Sequence, residues 1–74
     1  MEPFLFIKCY IIVSYDNGNR MFYKYDPTDD NYYWNNWIYE RFYDYSLAVP
    51  VLKEAILDNS TSVIMQLETM VSPI

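Results

Sequence analysis

The sequence predicts an α+β domain: a small antiparallel β-sheet, built from an N-terminal hairpin and a C-terminal strand, with one helix packed on a face. The expected order is β-β-(β)-α-β. Three observations carry this. Apolar residues alternate from Phe4 to Tyr15, a turn-forming run Asp16-Asn17-Gly18-Asn19 follows, and apolar residues recur at helical spacing after Ser46. With 74 residues the chain makes a single domain, residues 1–74, since domains usually hold about 100–150 residues and seldom fewer than about 50.

The first strand is expected over Phe4–Tyr15, with Leu5, Ile7, Cys9, Ile11, Val13 and Tyr15 on the apolar face and Lys8 and Ser14 on the other. The second runs from Arg20 to Tyr25. Two hairpin registers are possible. A two-residue Asn17-Gly18 turn pairs Ile11 with Lys24, which drives a charge onto the apolar face. A three-residue loop from Asn17 to Asn19 pairs Val13 with Tyr23 and Ile11 with Tyr25, sends Lys24 outward, and is the register expected.

Residues Asp26–Tyr45 read two ways. Asp26-Pro27 can open a helix with Trp34, Ile38, Phe42 and Tyr45 along one stripe. The same stretch can be extended, with Asn35-Asn36 as a turn between aromatic runs, and Tyr and Trp favour strands. The reading adopted is loop plus a short strand near Ile38–Tyr43. Ser46 then caps a helix carrying Leu47, Val51, Ala55 and Ile56, with Pro50 in or next to the first turn and Asp58-Asn59 at the end. Val63, Met65, Leu67, Thr69 and Val71 alternate as a last strand. Val63, Ile64, Leu67, Met70 and Val71 also suit a helix, but the Asn-Ser-Thr-Ser run before them looks like a helix-to-strand connection.

Composition narrows the function. Apolar types make up 53% and aromatic types 20%, too many for a disordered acidic chain. Histidine is absent, and with it the usual general base and commonest metal ligand. Cys9 is the only cysteine, so no internal disulfide forms and a reducing compartment is expected. One thiol cannot make a zinc site, the single Gly18 excludes Gly-rich phosphate loops, and Asp26, Asp29 and Asp30 do not fit a calcium loop. No catalytic residue, metal or cofactor is expected. The segment Phe4–Val13 is too short to cross a bilayer and carries Lys8, so a cytoplasmic protein without a membrane partner is expected.

The charge is uneven. Five cations against ten acidic residues give −5, and Asp26, Asp29, Asp30, Glu40 and Asp44 against Arg41 place −4 of it between Asp26 and Tyr45. Eight aromatic residues share that stretch, among them Tyr32, Tyr33, Trp34 and Trp37. Direct nucleic-acid binding is not expected, because it needs a basic groove. Carboxylates spaced among flat rings instead resemble a nucleic-acid backbone electrostatically, and suit a partner with a basic phosphate-binding cleft. In size, acidity, lack of His and richness in Tyr, Asn and Asp the chain resembles short phage-encoded inhibitors, such as anti-CRISPR proteins and uracil-DNA glycosylase inhibitors.

The expectation is a non-enzymatic inhibitor of a nucleic-acid-binding protein or nuclease complex. Asp26, Asp29, Asp30, Glu40 and Asp44 would supply charge, and Tyr32, Tyr33, Trp34 and Trp37 would act as anchors. The alternatives are a homo-oligomeric module with an aromatic interface, such as a homodimer, or an acidic antitoxin.

Overall fold

The computed structural model describes residues 5–71. It contains strands β1 (Leu5–Asp16), β2 (Asn19–Asp26) and β3 (Asn31–Asn35), helix α1 (Tyr45–Asp58) and strand β4 (Val63–Val71). The fold is α+β: a four-stranded antiparallel sheet of order β3-β2-β1-β4 with one helix packed against it. The expected start of β1 at Phe4 lies outside the described residues.

The hairpin adopts the register that the charge argument rejected. Asp16 pairs with Asn19 and Val13 with Phe22, across a two-residue turn in which Asn17 and Gly18 have φ of 51° and 82°. Positive φ at both central positions matches the right-handed twist of the strands, and Asn and Gly adopt it cheaply. The expected three-residue register rested on a single apolar face, whereas β1 is buried on both. Ile12 faces the helix and packs with Tyr23 and Ala55, while Cys9, Ile11 and Val13 are also buried and alternate with it onto the far face. Conversely Leu5 and Ile7, expected in the core, are exposed.

Past Val13 and Phe22 the sheet splits. The backbone of Tyr10 exchanges hydrogen bonds with that of Phe42 (2.7 and 2.9 Å), and the Glu40 amide donates to the Tyr23 carbonyl (3.1 Å). Residues Glu40–Phe42 therefore lie between β1 and β2, bonded to both. The connection reaches this gap across the face away from the helix, where Tyr39 meets the Phe22 ring edge-on at 5.4 Å. It leaves on the helix side, where Tyr45 meets Tyr10 at 5.5 Å. The wedge also accommodates Lys24, whose ammonium donates to Glu40 Oε1 at 2.9 Å. The same oxygen accepts the Tyr25 amide at 3.2 Å.

This corrects the short strand expected near Ile38–Tyr43: that stretch holds only the isolated Tyr10–Phe42 bridge. The third strand is Asn31–Asn35 instead, as in the extended reading that turns at Asn35-Asn36. Asn35 makes the turn by side chain, its Oδ1 accepting the amides of Trp37 (3.1 Å) and Ile38 (2.8 Å).

The helix cap is Asp44, not Ser46. Asp44 Oδ1 accepts the Ser46 amide at 3.0 Å and the Ser46 hydroxyl at 2.9 Å, so Ser46 is a partner of the cap. Pro50 is then the sixth helical residue and removes one backbone hydrogen bond. The Asn59–Ser62 connection is held by side chains. Ser62 Oγ donates to the Asn59 carbonyl at 2.6 Å, and the Thr61 hydroxyl lies 2.6 Å from that of buried Ser14. β4 then pairs with β1 from Leu5↔Val71 to Val13↔Val63.

Candidate interaction surface

Four aromatic side chains of β2 and β3 converge on the helix side of the sheet. The register pairs Tyr23 with Trp34 and Tyr25 with Tyr32, which aligns their side chains on one face. Tyr23 is stacked on Tyr32 (centroids 4.8 Å, planes 11° apart) and tilted against Trp34 at 4.5 Å. Tyr25 meets Tyr32 edge-on at 5.3 Å. The Trp34 indole N–H donates to Asp58 Oδ2 on the helix at 2.8 Å, which joins the aromatic cluster to the end of α1.

The β2–β3 turn brings acids to the rim of this cluster. Asp26 Oδ1 accepts the Thr28 amide at 2.9 Å, and Asp30 takes φ of 51°, a conformation Asp tolerates better than most residues. From there its carboxylate accepts the Tyr25 hydroxyl. Asp29 is exposed at the tip. Asp26, Asp29, Asn31, Tyr32 and Tyr33 line an open hollow of about 270 Å³.

The electrostatics follow this geometry. Tyr25 is pushed up from its ordinary value chiefly by donating to Asp30, since ionising it would forfeit that bond and set two negative charges together. Burial raises Tyr23, helped by Asp58 and Glu54. Burial also raises Tyr32, helped by Glu40 and Glu54. Among the described residues the one ion pair is Lys24–Glu40, so Asp26, Asp29, Asp30, Glu54 and Asp58 stand without a cation. Arg41 lies over the Tyr39 ring at 5.2 Å and Arg20 over Tyr15 at 5.9 Å.

The structure thus brings together only part of the expected site. Asp26, Asp29, Asp30, Tyr32 and Trp34 share the turn and its cluster. Glu40 is taken up by Lys24 and Tyr25, and Asp44 by capping the helix. Tyr33 is exposed beside the turn, on the face opposite Tyr32. Trp37, 76% exposed, lies beyond the Asn35 turn and lines a separate hollow of about 320 Å³ with Lys24, Ile38, Tyr39 and Arg41. Sequence reasoning missed Tyr23, Tyr25, Glu54 and Asp58. The signal for the last two was their four-residue spacing, which puts them on one side of a helix.

Among the described residues no group of three His, Cys, Asp or Glu side chains is placed to hold a metal ion, and no helix is long and apolar enough to cross a membrane. Cys9 is a buried free thiol. Compared with protein-family models, with curated proteins and with solved structures, the chain matches none.

Proposed function

We propose that this is a non-enzymatic binding protein that blocks the basic nucleic-acid-binding cleft of a nucleic-acid-handling protein. One observation carries the reading: carboxylates without a cationic partner border an aromatic cluster on the helix side of the sheet. Asp26, Asp29 and Asp30 lie at the turn, with Glu54 and Asp58 on the helix. Such a surface attracts a basic cleft at long range, and flat rings then supply apolar contact at short range. The charges that steer binding are those the fold leaves free. Asp29 at the turn tip is the principal contact, while Glu40 and Asp44 act only through the architecture. The resemblance to phage-encoded inhibitors in size and acidity supports the same class of partner, and the unpaired thiol suits a reducing compartment such as a host cytoplasm.

The test is a tagged pull-down from host lysate, with and without excess duplex DNA, followed by titration of the captured protein over a range of salt. The expected result is a nucleic-acid-binding protein that DNA displaces. Its affinity should fall with salt, and the Asp29→Asn/Asp30→Asn variant should weaken both the binding and the salt slope. Unchanged affinity and slope in that variant would sink the proposal.

A further inference from the structure

We infer that the free edge of β4 pairs with β4 of a second copy of this chain, antiparallel and centred on Leu67. The argument starts at Tyr10. Its amide and carbonyl are both spent on Phe42, on the β2 side of β1. Tyr10 lies opposite Gln66, so this is a non-hydrogen-bonded pair of the β1–β4 ladder. The amide and carbonyl of Gln66 then face away from β1, and so do those of Ile64 and Glu68, two residues on either side.

Among the described residues, that edge has none of the usual protection. β4 is nine residues long, with no proline, lysine or arginine and a single charge, Glu68. Its register with β1 runs without a bulge from Val63 to Val71. Long, even, weakly charged edges of this kind template pairing with another strand. The opposite edge of the sheet, β3, has five residues and is bounded by Asn31 and Asn35.

The sequence of β4 is complementary to itself. Centring the two-fold on Leu67 uses all nine residues, the longest pairing available. It sets Leu67 against Leu67 of the second copy on the face away from the helix, and Gln66 against Glu68 on the helix side. Centring on Glu68 opposes two carboxylates, and centring on Ile64 carries the strand into its connection at Ser62. In the Leu67 register each Glu68 lies between the second copy's Gln66 and its own cross-strand neighbour Lys8, so no like charges oppose one another. The product is a continuous eight-stranded sheet, with the two β2–β3 turns at its far ends.

Gln66 is exposed, so its charge can be changed without touching the core. Sedimentation equilibrium of the full chain from micromolar to millimolar concentration should give a monomer–dimer equilibrium. Gln66→Lys creates two Lys–Glu68 pairs across the interface and should tighten dimerisation by about two- to thirtyfold, whereas Gln66→Glu should loosen it by a similar factor. Gln66→Pro deletes an outward amide that β1 does not use. It should abolish the dimer while circular dichroism remains that of the folded monomer. A monomer throughout, or a dimer that Gln66→Lys weakens as much as Gln66→Glu does, would overturn the inference.

Discussion

Replacing Gly18 by Ala tests the hairpin register directly. Gly18 has φ of 82°, and a Cβ built there meets nothing within 4 Å, so the substitution carries no steric clash with the rest of the molecule. What remains is the left-handed backbone. Holding an L-residue there costs about 1–2 kcal/mol, and the loss of unfolded-state freedom on replacing Gly returns roughly 0.4–1 kcal/mol. The expected net destabilisation is about 1 kcal/mol, or a fall in Tm of roughly 4–8 °C for a domain of this size. Urea denaturation followed by circular dichroism should show the midpoint falling with an unchanged slope. The companion variant is Asn19→Ala. Asn19 is the first residue of β2, paired with Asp16, so its replacement should stay within about 0.5 kcal/mol. A three-residue loop reverses the order, because Asn19 would then hold the left-handed position. A neutral Gly18→Ala with a costly Asn19→Ala would refute the reasoning.

Three further outcomes are expected. The Asp44 carboxyl is held below its ordinary value by hydrogen bonds from the Ser46 amide and hydroxyl. Its contribution is therefore complete above the unfolded value of 3.8 and is lost as pH falls through the lower folded value. Asp44→Asn, which still caps, should flatten the acid side of a Tm–pH curve, and curves that superimpose would contradict this. Tyr23 has the opposite sign: raised above 10.0 by burial first and then by Asp58 and Glu54, it stabilises the fold below that pH and loses the contribution as pH climbs past it. Tyr23→Phe should make Tm fall less steeply above pH 10.0, and an equally steep fall would count against the assignment. The two tryptophans should separate by acrylamide quenching. Trp37→Phe removes the readily quenched emission, whereas Trp34→Phe removes the protected part and, through the lost bond to Asp58, costs about 0.5–1.5 kcal/mol. Equal quenching of the two emissions would argue against the packed position of Trp34.

The parts of the fold legible in the sequence were those set by neighbours along the chain. β-Branched and aromatic alternation marked β1, the Asn17-Gly18 pair marked a turn, and helical spacing from Leu47 to Ile56 marked α1. The register was misjudged because Lys24 looked unplaceable beside Ile11. Its counter-ion, Glu40, is sixteen residues away and becomes a neighbour only once the sheet has split. The third strand was misplaced for a related reason: two aromatic runs flank Asn35-Asn36, and only tertiary pairing decides which joins β2. In the candidate site, Asp26, Asp29 and Asp30 were legible because one turn gathers them. Glu40 and Asp44 have the same composition signal but internal duties. Glu54 drew no functional reading and Asp58 was read only as the helix end, since nothing local says that Trp34 will reach across to Asp58.

The insertion of residues Glu40–Phe42 into the sheet has a consequence for how the molecule comes to be made. β1 is synthesised first among the strands, yet beyond the hairpin end its hydrogen bonds go to Phe42 on one side and to Val63–Val71 on the other. A growing chain thus carries Ile11 and Ile12 without their partners from the helix and β4 until those elements have been made. Pairings of such long sequence separation form slowly, because the chain entropy is lost before the contacts return anything. The early hairpin can close at its turn at once, but its open end must wait for the Glu40–Phe42 segment that will keep it apart.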